Sequence, residues 1–309
     1  MSMSTTRHTT PHGHSPRRWR SLLFVPAHVE RFIARAHERG ADGVILDLED
    51  AVPDEEKPAA RAGLADTVAR VGRGGTAVLV RVNRGLRALA LDLEAAVVPG
   101  VAALVLPKTE SAEWVREVAD AVAELDGERG LPPGGVRLVL QIETPAALPR
   151  LPEIAAAHPR VAAMTLGPED FSAALGAVPE ADALLGPNLA VLCAARAAGL
   201  LPLGFVGSIG AFADPAAFRA TVAQARRLGF RGAMAVHPAQ VPILNEGFAP
   251  SAEEVAWARR VATGDAAARA TGRGAFRLDG RMVDAPVVRR AEEILAMAGG
   301  PSPPTHGAG

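Results

Sequence analysis

Two carboxylates close apolar, strand-like runs in the middle of the chain. Glu143 follows Val-Leu-Gln-Ile at 139–142, and Asp170 follows Met-Thr-Leu-Gly-Pro-Glu at 164–169. A lone carboxylate withdrawn from water must be protonated, paired with a cation or bound to a metal. Two such ends in one stretch point to a single site, although each acid alone could instead cap a helix or sit in a solvated loop. The same kind of ending recurs along the chain. Glu49 and Asp50, Arg81 and Asn83, Lys108, Ser208 and His237 all stand at or just beyond the ends of short apolar runs, whereas the starts of those runs are mostly Gly, Ala and Val.

Such polarity requires elements that bring the ends together. The runs are RSLLFVP (20–26), GVILDLED (43–50), AVLVRVN (77–83), ALVLPK (103–108), VRLVLQIET (136–144), VAAMTLGP (161–168), PLGFVG (202–207) and GAMAVHP (232–238). Between them lie Ala-, Arg- and Glu-rich stretches of helical period, several ending in Gly: ERFIARAHERG, EKPAARAGLADTVARVG, AEWVREVADAVAELDG, NLAVLCAARAAG and DPAAFRATVAQARRLG. Strands apolar at nearly every position are buried on both faces, and their alternation with helices implies a parallel sheet of the α/β class. Eight units suit a (β/α)8 TIM barrel, in which catalytic groups gather at the C-terminal strand ends. The rival is an open doubly wound sheet; the first strand lacks the Gly-rich dinucleotide turn, reading VPAHVERF instead.

The expected organisation is a disordered polar tail at 1–18, a barrel at 19–248, a C-terminal helical extension at 249–298 and a second polar tail at 299–309. The extension opens with Pro250 and Ser251 followed by Glu253 and Glu254, a capping arrangement. Its Trp257, Val261, Val287, Ile294 and Leu295 form apolar stripes that need a surface, such as the barrel mouth or a neighbouring subunit. The 309 residues carry a net charge of −1 and are 49% hydrophobic. That balance, without basic runs in the body of the chain, argues against nucleic-acid and membrane partners. Cys193 is alone in the sequence, which excludes a disulfide framework and points to a reducing cytoplasm, with the thiol expected to be buried. His8, His12 and His14 could bind a metal only weakly without a scaffold.

With the strand ends laid out, the chain resembles the citrate lyase beta-subunit-like proteins, relatives of malyl-CoA and citramalyl-CoA lyases. The motifs that carry the resemblance are RSLLFVP, ILDLEDAV followed by Lys57 and Arg61, VRVN, LPKTES, IETPAAL, GPEDFSAALG, AVHPAQVPILNEGFAPSAEEVAWARRV and LDGRMVDAP, in order from Trp19 to Met297. The resemblance implies a (β/α)8 barrel, a Mg2+ ion, a CoA thioester and keto acid as small-molecule partners, and a homotrimer or hexamer. It implies that Glu143 and Asp170 hold the metal, with Glu49 and Asp50 beside it as catalytic acids. It further implies that Arg81 grips the keto acid, and that Asp284 donates across a subunit interface to the acyl methyl carbon. The aldolase branch of the superfamily carries a His one residue after the Glu that matches Glu49, so Asp50 favours the CoA branch. Departures from the pattern are Ala27 for a Gly, and Pro187, Asn188 and Ala190 where Arg residues are common.

The expected function is therefore a Mg2+-dependent carbon-carbon lyase of a 3-hydroxyacyl-CoA. The alternatives are a CoA-independent class II pyruvate aldolase and a non-catalytic barrel that binds a CoA ester. Arg81 could also be a structural salt bridge and Asp284 an N-cap. His237 could be a proton carrier or a satisfied polar residue. Lys57 and Arg61, one helical turn apart, could meet CoA phosphates or simply form a solvated helix face.

Overall fold

Each of the apolar runs forms a parallel strand: β1 (Ser21–Pro26), β2 (Gly43–Asp47), β3 (Ala77–Arg81), β4 (Val101–Leu106), β5 (Arg137–Ile142), β6 (Val161–Leu166), β7 (Leu201–Leu203) and β8 (Ala233–Ala235). The computed structural model describes residues 19–210 and 212–299; the expectations for residues 1–18, including the three histidines, and for 300–309 lie outside the described residues. Neighbouring strands follow chain order from β7 back to β1, and β1 pairs with β8. Between β7 and β8 the seam is a single bridge, Leu203 to Gly232, flanked by Gly204 N donating to Gly232 O at 2.9 Å and Arg231 N to Pro202 O at 3.0 Å. The eight strands thus form a nearly closed α/β barrel.

Alternation at period two sorts every strand into an inner and an outer face. Leu22, Ile45, Leu79, Ala103, Val105, Val139, Ala163, Leu203 and Met234 pack together inside the barrel. Their neighbours Leu23, Val44, Leu46, Val78, Val80, Leu104, Leu138, Leu140 and Met164 pack outward in the larger core that includes the helices. Two residues beyond Ile45, Leu79, Val139 and Ala163 on the inner face come Asp47, Arg81, Gln141 and Thr165, so the interior turns polar at its C-terminal end.

Some helices depart from the expected lengths. The stretch at 57–71 breaks at Gly63 into Lys57–Ala62 and Leu64–Val71, and the stretch at 30–39 yields only Glu30–Ile33 and the 3-10 turn Ala36–Arg39. Cys193 is exposed, correcting the expectation of a buried thiol. In the helix Ala181–Ala197 the buried stripe is Leu184, Asn188, Val191, Leu192 and Ala195, and position 193 falls outside it. No helix among the described residues is long and apolar enough to cross a membrane.

Residues 19–248 form one compact unit and 249–299 belong to a second. The second unit contains the helix Ala252–Ala270, opened by a Ser251–Glu254 capping box, a hairpin of β9 (Phe276–Leu278) and β10 (Arg281–Val283), and the helix Ala285–Ala298. The hairpin turn is Asp279-Gly280, both at positive φ (50 and 78°), which suits this dipeptide. The apolar stripes of the two helices bury against each other: Ala258, Val261, Val288, Ala291, Ile294 and Leu295 share a core with Val283.

Candidate active site

The strand register brings the first pair together. Asp47 on β2 lies beside Arg81 on β3, and the two form a bidentate ion pair, Nε to Oδ1 at 2.7 Å and Nη2 to Oδ2 at 2.6 Å. Asp47 also accepts from the backbone of Glu49 at 3.0 Å and Ala51 at 3.2 Å, which turns the chain after β2 and delivers Glu49 to the rim. Nη1 of Arg81 is 3.0 Å from Oε2 of Glu49. Burial by itself would lower the Arg81 proton affinity, but Asp47 and Glu49 hold it above the ordinary arginine value. Its guanidinium stacks 4.8 Å over the Phe24 ring.

Lys108 links the two halves of the site. It lies two residues beyond β4 with φ 48°, a left-handed conformation that costs a residue with a Cβ about 1 kcal/mol. From there its backbone N–H donates to Oε2 of Glu143 at 2.6 Å and its ammonium to Oε1 of Glu49 at 2.7 Å. The ammonium also lies 3.5 Å from Asp50 and 3.9 Å from Asp170. Burial works against its charge and Glu49 more than restores it, leaving the group firmly protonated. Glu49 itself is shifted upward by burial, with Arg81 and Lys108 opposing.

Glu143 follows β5 and is 2% exposed. Its second oxygen, Oε1, accepts from Gln141 Nε2 at 2.9 Å. Burial pushes this carboxyl up to about 7 against the Lys108 N–H, and the negative charges of Glu49 and Asp170 add to the rise. Asp170 is 45% exposed, in the first turn of the helix Pro168–Leu175 that follows β6. Gly167 makes room for the arrangement, since a Cβ there would lie 2.5 Å from Glu143 Oε1. A cavity of about 350 Å3 opens over these groups, lined by Phe24, Asp47, Arg81, Gln141, Glu143 and Asp170 among others.

The donor set suits a hard divalent cation. Glu143 and Asp170 offer carboxylate oxygens whose mutual repulsion a cation would relieve, and no cluster of three metal-ligating side chains occurs among the described residues. Two carboxylates with open positions for water or substrate is the habit of Mg2+ rather than of a closed structural site.

The structure therefore gathers Glu49, Asp50, Arg81, Glu143 and Asp170 at one rim, with Asp50 56% exposed at the mouth. Lys57 and Arg61 do not form a solvated face: both side chains are only 14% exposed. Lys57 donates to Asn83 Oδ1 at 2.7 Å, and Arg61 to the fully buried Asp92 at 2.6 Å. Asp92 in turn accepts from Asn83 N and Nδ2, so the network pins the segment after β3. Asp92 draws Arg61 inward because an unpaired buried carboxylate would be costly, and Lys57 is held through the Asn83 amide. Asp284, in the second unit, is the N-cap residue of Ala285–Ala298, yet its side chain makes no capping hydrogen bond. His237 stacks flat on Phe212, with centroids 4.4 Å apart, and Ser208 donates to Glu169 at 2.6 Å. The sequence placed Lys108 among the polar strand ends without a role, and it did not assign Asp47 or Gln141 to the site. The signal for Asp47 and Gln141 was the inner-face alternation, since they follow Ile45 and Val139 at period two.

The chain is similar to known proteins along most of its length. The model of the HpcH/HpaI aldolase/citrate lyase family matches residues 20–238. Citrate lyase subunit beta of Escherichia coli (strain K12) is 34% identical over 286 residues, covering 90% of this chain and 93% of that protein. The (3S)-malyl-CoA thioesterase of Cereibacter sphaeroides is 35% identical over 294 residues, covering 93% and 96%. Among solved structures, protein CitE from Mycobacterium tuberculosis in complex with magnesium, acetoacetate and coenzyme A superposes with a TM-score of 0.68 at 35% identity, covering 90% of this chain and 97% of that one. With the family model spanning the whole barrel and relatives of this identity covering nearly the full chain, the protein belongs to the HpcH/HpaI aldolase/citrate lyase family, among its citrate lyase beta-subunit-like members.

Proposed function

We propose that the barrel mouth cleaves, or in reverse forms, a 3-hydroxyacyl-CoA thioester of the malyl-, citramalyl- or citryl-CoA type, giving a 2-oxo acid and an acyl-CoA. The observation that carries this reading is Glu143, a carboxylate almost withdrawn from water, raised to about 7 and accompanied by Asp170 at the edge of a substrate-sized cavity. Glu143 and Asp170 would hold Mg2+, which when bound acts as a Lewis acid on the hydroxyl or oxo oxygen of the substrate. The magnesium and coenzyme A in the related CitE structure support both ligands.

In the cleavage direction the bond between the carbinol carbon and the thioester α-carbon breaks. Asp50, exposed at the mouth beside Arg81 and Lys108, accepts the hydroxyl proton, and the hydroxyl oxygen becomes the carbonyl of the 2-oxo acid. Arg81, held by Asp47 and Glu49, keeps an N–H on each terminal nitrogen for the substrate carboxylate and for charge developing on that oxygen. The electron pair remains on the acyl-CoA α-carbon, which takes a proton from the carboxylic acid form of Asp284, leaving its carboxylate; this side chain is not spent on capping its helix. We assign Asp284 to act from a second copy of the chain in a trimer or hexamer. Lys57, which bonds Asn83 and Asp54, has one ammonium hydrogen to spare for a CoA phosphate, whereas Arg61 is given the structural task of neutralising Asp92. A cytoplasmic setting accords with the lone, unpaired Cys193.

The test is an assay of 2-oxo acid release over a panel of malyl-, citramalyl- and citryl-CoA, with Mg2+ or a chelator, on wild type and Asp170→Ala. Release that needs both Mg2+ and Asp170 is expected, with Asp170→Ala unfolding within about 0.5 kcal/mol of wild type because the residue is half exposed. Silence across the panel in folded, metal-loaded protein would refute the reading. Accumulation of free CoA would add a hydrolytic step of the kind the Cereibacter relative is named for.

A further inference from the structure

Gln141 is 6% exposed and lines the cavity on the inner face of β5. Its Nε2 is committed to Glu143 at 2.9 Å, which fixes the orientation of the amide. The amide oxygen, Oε1, is then left buried without a hydrogen-bond partner. A bare acceptor welcomes a donor or a neutral group and repels an anion.

The charges around it point the same way. Asp47, Asp50, Glu143, Glu169 and Asp170 line the cavity, and among the described residues lining it Arg81 is the one cation. Arg81 is already shared between Asp47 and Glu49, leaving donors enough for one carboxylate. Lys108, just outside the lining, is occupied by Glu49 and Asp50. The rest of the wall includes the apolar Phe24, Met234 and Val236 and the uncharged Thr165, whose hydroxyl donates to Leu166 O at 3.2 Å.

We propose that the cavity takes a 2-oxo acid with a single carboxylate and a small uncharged substituent, and that Gln141 is the specificity-determining residue that rejects a second carboxylate. This rests on the lyase reading above and narrows it. The citrate lyase name of one relative would suggest a dicarboxylic product. Here a second carboxylate would enter with no cationic side chain left to pair it and beside the unpartnered amide oxygen of Gln141, and discrimination comes from that repulsion as much as from the fit of a methyl group.

The experiment compares substituents on the same carbon. Mg2+-loaded wild type is titrated calorimetrically with pyruvate and with freshly dissolved oxaloacetate, and is assayed on citramalyl-CoA and citryl-CoA, which differ as methyl against carboxymethyl. The methyl member of each pair is expected to be favoured by about tenfold or more. Gln141→Lys keeps a donor for Glu143 and replaces the bare acceptor with a cation; it is expected to bring the ratio close to one. Oxaloacetate and citryl-CoA used as well as their methyl counterparts by wild type would overturn the proposal alone. A wild-type preference that persists unchanged in folded Gln141→Lys would overturn the role of Gln141. Absence of any 2-oxo acid binding together with absence of any CoA-ester cleavage would overturn the underlying lyase reading, and the proposal with it.

Discussion

At the residue scale the site depends on how Glu143 is held. Lys108 N–H and Gln141 Nε2 fix its two oxygens, and Gly167 leaves the space that the carboxylate fills. Gly167→Ala would drive a methyl group into Glu143, so Mg2+ affinity measured by calorimetry should fall about 10- to 100-fold, as for loss of groups that orient a metal ligand. The raised proton affinity of Glu143 has a direction that can be checked. Its folded value of about 7 lies above the ordinary 4.5, so the folded chain binds this proton more tightly than the unfolded chain. Its contribution to metal-free stability is therefore fully present below the unfolded value and is lost as pH rises through about 7. Mg2+ must displace the same proton, so its affinity should climb over that interval. Titrations in buffers of different ionisation enthalpy should register proton release at pH below about 7 and almost none well above it.

At the element scale the strands were legible because each is buried on both faces and reads as an apolar run. The polar inner layer was also written in the alternation Ile45, Asp47, Glu49 and in Val139, Gln141, Glu143, but only closure of the barrel decides which alternate set faces inward. The helix breaks were less legible. Gly63 divides a stretch with sustained helical period, and the inward turn of Lys57 and Arg61 depends on Asn83 and Asp92 arriving from the far side of β3. The β7–β8 seam is the weakest join of the barrel, built on two three-residue strands and one bridge. A Cβ at Gly232 would lie on the carbonyl oxygen of Trp19. Gly232→Ala should therefore push the start of β8 off the Trp19–Arg20 segment ahead of β1 and lower stability by about 2 to 3 kcal/mol in urea unfolding, a typical cost of overpacking.

At the scale of the whole molecule, the second unit carries its own apolar core, so the stripes on its helices do not by themselves demand a partner surface. Its claim to a role rests on Asp284, an N-cap residue whose side chain does not cap. Asp284→Asn should reduce kcat by about 10²- to 10⁴-fold, the usual worth of a positioned proton donor, while Mg2+ and 2-oxo acid binding persist. Mixing Asp284→Asn with Asp170→Ala protein under conditions of subunit exchange should recover part of the activity, because one interface would then hold an intact barrel mouth and an intact Asp284. Failure to recover activity in mixed oligomers would assign Asp284 to its own chain.

Composition, periodicity and motif order were enough, without coordinates, to determine an eight-stranded α/β barrel with acids at its C-terminal rim and a capped helical appendage, because burial of strands and capping of helices are local demands written residue by residue. Tertiary structure alone decided which of those polar groups share a site and which serve the scaffold. Strand register set Asp47 against Arg81, the left-handed turn at Lys108 joined Glu49 to Glu143, and Asp92 claimed Arg61. These outcomes turn on desolvation and pairing between residues far apart in the chain, energies that exist only once the barrel has brought the partners together.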